Sequence, residues 1–324
     1  MTVAVPTLAA DDRWRECVHA LERQTFRDFE TVVIDNSGES RVSQEGVRII
    51  HNRINLGFGA ALNQAWRSSE ARYLAALNDD ALPDPEWLQA LVTALENRPQ
   101  AGMAASQVRL DEHRLDSAAL VIGADGSSKQ RGHGEPPRNY ADTEEVFAPS
   151  GSAALYRREV LEETGGFDES FFLYCEDTDL GLRAQWLRWR CIYVPEAVVT
   201  HQYSFSAGRA SALKAYLVER NRLRLVVKNF PITWMLRAPF ATLERYFWHV
   251  GSLIRGEGKA AAFREAGQPA WKLAWFVLKA HGALLIVLPQ LLSQRRRTTR
   301  KISTSAMCEL LRRHRVSMRE VAAH

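Results

Sequence analysis

Cysteine is scarce and scattered in this 324-residue chain: Cys17, Cys175, Cys191 and Cys308 lie far apart, and no CxxC pair occurs. That argues against a structural zinc site or a disulfide framework and for a reducing compartment. The start, MTVAVPTLAADDRWRE, lacks a basic n-region and turns acidic at once, so no signal peptide is expected. Internal repeats and low-complexity tracts are missing, and a composition of 46% hydrophobic and 25% charged residues excludes general disorder. A dinucleotide fingerprint is missing too. In NLGFGAALNQA, Leu62 stands at the third glycine position and the glycines do not directly follow the strand-like VRII, which argues against a Rossmann oxidoreductase.

Acidic residues are few in the last third. Residues 205–324 hold 22 Lys+Arg and 6 Asp+Glu, a net of +16, whereas residues 1–204 hold 20 and 32, a net of −12. So sharp a split predicts two parts, 1–204 and 205–324, the second facing something anionic.

What is present alternates. Val3–Val5 reads as a strand stopped by Pro6, and Asp11 to Gln24 as an amphipathic helix with Trp14, Cys17, Val18 and Leu21 on one face. ETVVIDNSG and VRII read as strands, GFGAALNQAWRSS as a helix, YLAALNDD as a strand and PEWLQALVTALEN as a helix. Alternating strands and helices predict a mostly parallel α/β sheet, with ligands at the carboxyl ends of its strands. From about residue 108 to 147 the pattern weakens, and GADGSSKQRGHGEPPRNYADTEE within it, polar and rich in Gly and Pro, predicts a mobile loop. CIYVPEAVVTH predicts two short strands, ALKAYLVERNRLRLVVKNF a basic helix, and residues 271–292 a strongly apolar segment.

Several constellations can carry chemistry. Asp79 and Asp80 in LNDDA are placed to share Mg²⁺ or Mn²⁺, which prefer hard oxygen ligands. The plain alternative is an acidic cap for the helix opened by Pro85. Gly57 and Gly59 suit a close approach to phosphate or base, or merely a packed helix start. Asp35 in IDNSG suits a base edge or ribose, or ordinary turn chemistry. In LYCEDTDLGLR, Asp179 and Arg183 form a routine i,i+4 pair, but Glu176 and Asp177 lie beside Phe171, Phe172 and Tyr174. An acid against an aromatic wall has a raised pKa and is poised as a base. A lone His201 is more often structural than a ligand.

In order and spacing, VAVPT, DNSG, NLGFGAALNQA, LNDDA, SGSAALYRREVLEETGGFDESFFLYCEDTDLGLR and YLVERNRL resemble the bacterial inverting family-2 glycosyltransferases, in particular the rhamnosyltransferase-like and galactofuranosyltransferase-like members. The resemblance spans about residues 1–228. It implies a GT-A fold, a Rossmann-like mostly parallel α/β sheet, followed by a basic, apolar helical segment. It also implies that Pro6, Thr7, Asp35, Asn55, Gly57, Asn63, Asn78 and Asp79 face a nucleotide sugar, with Asp80 and His201 as ligands of Mg²⁺ or Mn²⁺. Asp177, beside Glu176, matches the catalytic base, and Phe171, Phe172 and Tyr174 would stack on the acceptor. Asn78 replaces the first acid of the family's DxD motif, which leaves less negative charge on the metal, and Ala9 departs from a usual polar residue.

The expected activity is inverting transfer from dTDP-rhamnose or a UDP-sugar to a lipid-linked or polymeric envelope glycan. The alternatives are a metal-dependent nucleotidyltransferase, against which the acidic PTLAADDRW argues, and a non-catalytic sugar-nucleotide-binding protein. Nucleic acid is not an expected partner, whereas a second copy of the chain remains one. Residues 205–324 are expected to dock on the inner face of the plasma membrane. Residues 271–292 are long enough to span it, but Lys279 and His281 fall near their middle, which favours lying in the plane.

Overall fold

The computed structural model describes residues 1–201, 211–255, 263, 269 and 271–323. It divides into two compact units, Met1–Leu120 with Gln130–Ser206, and Val121–Lys129 with Ala207–His324.

The first unit is α/β. Its strands are β1 (Thr2–Thr7), β2 (Glu30–Asp35), β3 (Arg48–His51), β4 (Tyr73–Leu77), β5 (Ala81–Pro83), β6 (Ala101–Asp111), β7 (Arg114–Ser117), β10 (Glu144–Val146), β11 (Ala153–Arg157) and β12 (Arg190–His201). The sheet order is β10-β12-β6-β11-β4-β1-β2-β3, with β5 on β12 and β7 on β6. Six of these eight strands run one way; β10 and β11 oppose them.

Side-chain alternation feeds both faces of the sheet. Val3, Val5, Ala75 and Leu77 join one core with helices α1 (Arg13–Glu22) and α3 (Trp87–Glu96), through Trp14, Cys17, Leu21, Trp87 and Leu91. Ala4, Leu74 and Ala76 join the other with α2 (Phe58–Arg67), α4 (Arg158–Thr164) and α5 (Glu176–Trp186), through Leu62, Leu161 and Leu180. Strands buried on both faces read as continuous apolar runs, as here.

Three expectations are corrected. Pro6 lies within β1 rather than ending it; β4 pairs with β1 only as far as Ala4, so the missing N–H breaks no ladder on that side. CIYVPEAVVTH is one strand with a register shift between Val194 and Val198, where Pro195 falls. The stretch 108–147, where the pattern weakens, carries β7, β8 (Leu120–Gly123), β9 (Ser128–Gln130) and β10, and the last two fall on the segment expected as a loop. Its polar residues misled because Asp116, Ser117 and Asp125 are buried there with hydrogen-bond partners.

Two loops meet at the start of α2. Gly57 has φ +88°, and a Cβ there would fall 2.1 Å from the Phe172 carbonyl oxygen. That carbonyl accepts the Phe58 amide at 2.9 Å. On the other side, Phe172, Tyr174 and Cys175 all take left-handed φ values of 66°, 70° and 68°. Such conformations cost side-chain-bearing residues about 1–2 kcal/mol each. The docked start of α2 therefore holds a strained turn that delivers Glu176 and Asp177.

The second unit holds α6 (Ala212–Asn229), α7 (Ile232–Arg255), α8 (Trp271–Arg297), α9 (Thr304–Arg313), the short β13 (Arg315–Val316) and α10 (Met318–Ala323). A small sheet, β13-β8-β9, accompanies them. At its centre Arg245 donates to Asp125 at 2.7 Å and to Glu219 at 2.8 Å, and Arg222 donates to Glu219 and to the Asp125 carbonyl. All four side chains are buried. Burial opposes their charges, but the two guanidinium groups hold both carboxyls below the usual range.

Replacing Gly57 by Ala is expected to lower stability by at least about 2 kcal/mol, a fall in Tm of about 4–8 °C by thermal denaturation. An unchanged Tm would show that the 172–175 turn does not depend on this contact.

Candidate active site

Because β11 runs against its neighbours, its start lies at the same sheet edge as the ends of β1, β2, β4 and β12. That edge collects Thr7, Asp35, Asn78, Asp79, Asp80, Gly151 and His201.

Asp80 is 3% exposed. Its Oδ1 lies 3.0 Å from His201 Nε2, and its buried Oδ2 has no hydrogen-bond partner among the described residues. A buried carboxylate oxygen left without a partner is costly, and a cation is what such an atom would accept. Asn78 Nδ2 is 3.3 Å from His201 Nε2. Asp79 accepts the Thr7 hydroxyl at 2.7 Å. Burial, reinforced by the Asp80 charge, pushes Asp79 up to about 6.

The other side of the His201 ring is also engaged. Nδ1 lies 3.0 Å from Asp116 Oδ2, and Asp116 in turn meets His133 Nδ1 at 3.2 Å. Burial disfavours a charged ring, but Asp116 and Asp80 outweigh it and raise His201 to about 10. Burial likewise works against the charge of Asp116, yet the two histidines bring it to about 2. Sequence reasoning missed Asp116: it lies in the stretch where the pattern weakens, and nothing local marks an acid on a short strand as a histidine's partner.

Among the described residues, no group of three or more His, Cys, Asp or Glu is placed to hold a metal ion. Asp80 and His201 supply a pair. An oxygen donor with a partnerless buried atom, and an imidazole that must release its Nε2 proton on ligation, fit a divalent cation that takes its remaining ligands from phosphate oxygens and water.

Across the edge, Asp177 Oδ2 accepts the Gly151 amide at 3.0 Å, and Oδ1 accepts the Thr178 amide at 2.6 Å. Burial raises its pKa, more than these hydrogen bonds lower it. Glu176 is buried, its Oε2 has no hydrogen-bond partner among the described residues, and desolvation together with Asp177 pushes it up to about 8. The two acidic sites are joined through consecutive residues, since Gly151 donates to Asp177 while the Ser152 carbonyl accepts the Asn78 amide at 2.9 Å.

The remaining candidates divide. Phe172 and Tyr174 are partly exposed, whereas Phe171 is fully buried and leaves no face for a sugar. Asn63 is also fully buried; it bonds Phe167, Glu169 and Trp66, so its task is to clamp the 167–169 loop. Asn55 accepts the Gly57 amide at 2.9 Å and so shapes the approach to α2. Asp35 holds the Ser37 and Val42 amides and meets His51. Pro6 is buried beside Thr7.

The family described as "Glycosyltransferase like family 2" matches residues 1–224. An N-acetylglucosaminyl-diphospho-decaprenol L-rhamnosyltransferase of Mycobacterium tuberculosis is 30% identical over 262 residues, covering 68% of this chain and 84% of that protein. An O-antigen chain rhamnosyltransferase of Salmonella anatum is 27% identical over 218 residues, 63% of this chain and 67% of that one. Among solved structures, GalNAc-T7 with UDP, GalNAc and Mn²⁺ superposes with a TM-score of 0.57 at 14% identity, covering 87% of this chain and 57% of that one. A mannosyltransferase from Pyrobaculum calidifontis with GDP-Man and Mn²⁺ gives 0.50 at 17%, covering 89% and 74%. The fold is thus the GT-A-like fold of these enzymes, and with a family match over more than two thirds of its length the chain belongs to glycosyltransferase family 2.

Proposed function

We propose that this chain is an inverting, metal-dependent glycosyltransferase that uses Asp177 as its base. It moves a sugar from a nucleotide diphosphate, dTDP-rhamnose first and a UDP-sugar second, to a hydroxyl of a lipid-linked or polymeric envelope glycan. One observation carries the reading: a buried acid with a partnerless oxygen and an oriented acid of raised pKa lie at one sheet edge, joined through Gly151 and Ser152. The rhamnosyl donor and lipid-linked acceptor are supported by the names of the two relatives above.

The chemistry is a single displacement. The acceptor hydroxyl oxygen attacks C1, its proton passes to Asp177, and the C1–O bond to the diphosphate breaks from the opposite face. Mg²⁺ or Mn²⁺ held by Asp80 and His201 would neutralise charge on the departing diphosphate. The Gly151 and Thr178 amides fix the Asp177 carboxylate while desolvation of this half-buried group keeps it basic. Phe172 and Tyr174 offer the acceptor sugar an apolar face. Asp116 is a positioning residue: its bond to Nδ1 turns Nε2 of His201 toward Asp80. Residues 205–324 hold the enzyme at the inner membrane face, where a lipid-linked acceptor resides.

Replacing Asp177 by Asn is expected to lower turnover by about 10²–10⁴-fold while donor affinity, read by calorimetry, is kept. Near-wild-type turnover would overturn the base. Since the base must be ionised and its pKa is raised, wild-type transfer falls on acidification at a pH above that at which an ordinary aspartate titrates; a pH–rate profile measures this.

Removing the Asp116 carboxylate with Asn should weaken Mn²⁺ binding by about 10–100-fold in an electron paramagnetic resonance titration, and Asp80→Ala by more. Unaltered Mn²⁺ affinity in both variants would mean that the metal sits elsewhere. A panel of nucleotide sugars should give metal-dependent turnover with thymidine or uridine donors; a strict purine preference would remove the donor assignment.

A further inference from the structure

Helix α7 has its polarity inverted. The side packed into its own unit carries Thr242, Arg245 and Ser252 along with Trp234 and Ala238. The opposite side exposes Ile232, Leu236, Phe240, Leu243, Phe247 and Val250, each 58–74% exposed, and ends at Ile254, 81% exposed. At 3.6 residues per turn these seven positions fall within about 80° of the circumference and run for about 33 Å. No charge interrupts them. Arg237, Glu244 and Arg255 lie along one border of the stripe, and Arg319 stacks over Trp248 at 5.4 Å. A soluble protein seldom leaves so long an apolar strip bare while placing arginine and carboxylates inside.

We propose that this face of α7 is a membrane-docking surface that lies in the plane of an anionic bilayer, its aromatic and aliphatic side chains reaching the acyl boundary. Charge selects this occupant. Residues 205–324 carry a net of +16, so a second copy brought face to face would be repelled, whereas anionic headgroups would be attracted. Narrowness selects the orientation, because a helix with charged residues bordering an 80° stripe suits an interface and not a span. The inference rests on the membrane placement under Proposed function but assigns it to a helix other than α8, the one described helix long and apolar enough to cross a bilayer.

The test is flotation of the full chain with phosphatidylcholine vesicles, with and without phosphatidylglycerol. Phe240→Asp with Phe247→Asp should reduce the vesicle-bound fraction at least about tenfold, while Phe240→Trp floats like the wild type. Both positions are solvent-exposed, and an unchanged Tm verifies folding of the Asp variant. A parallel Trp271→Ser/Trp275→Ser variant separates α8 from α7. If the α7 Asp variant floats as the wild type does, this assignment is overturned and the membrane placement stands. If the wild type itself does not float with phosphatidylglycerol, both fall. A dimer in light scattering that the Asp variant dissociates, with no vesicle binding, would identify a second copy as the occupant and also overturn the proposal.

Discussion

The hydrogen bond from the Gly151 amide to Asp177 exists because β11 runs backward through an otherwise mostly parallel sheet. A strand in the common direction would present its start at the far edge, away from the ends of β1, β4 and β12. Reversed, it brings Gly151 and Ser152 between the two acidic sites. One donates to the acid on α5; the other receives the amide that precedes Asp79 and Asp80. The separation of the two acids is thereby set by backbone bonds and not by long, flexible side chains. A displacement that needs groups on opposite faces of one carbon is served by that rigidity.

A comparable constraint organises the helical unit. Asp125, from the turn between β8 and β9, is buried with Glu219, Arg222 and Arg245 from α6 and α7. Removing one partner from such a set would leave an uncompensated charge, so the set fixes which side of α7 turns inward. The apolar stripe is the other side of that constraint. With Thr242, Arg245 and Ser252 committed to the interior, the side opposite them is left with only aliphatic and aromatic groups to show, and the exposed charges stand at its border.

The parallel core of the fold was legible because strands buried on both faces announce themselves as apolar runs and helices by their spacing. The stretch 108–147 was not legible, since its short strands bury hydrogen-bonded polar residues, and composition alone reads such residues as loop. At the candidate site, motifs carrying the family's spacing singled out Asp80, His201 and Asp177, and the fold brings the first two to within 3.0 Å of each other. Asp116 and Gly151 could not, because each works through a contact made only when distant strands align. The opposite error also occurred. Asn63 and Phe171 stand inside recognisable motifs, yet the structure commits them to packing: Asn63 saturates the 167–169 loop, and Phe171 fills the core.

Among the three acids in Glu176–Asp179, desolvation and pairing change how much charge the cluster carries. Asp179 is paired with Arg183 at 2.7 Å and so is neutral as a pair. Glu176, pushed up to about 8, holds its proton at neutral pH. Burial raises Asp177 as well, so its charge too is disfavoured. A cluster that looks triply anionic on paper therefore carries well under three charges at neutral pH, and the repulsion it would offer to an anionic ligand is reduced in proportion.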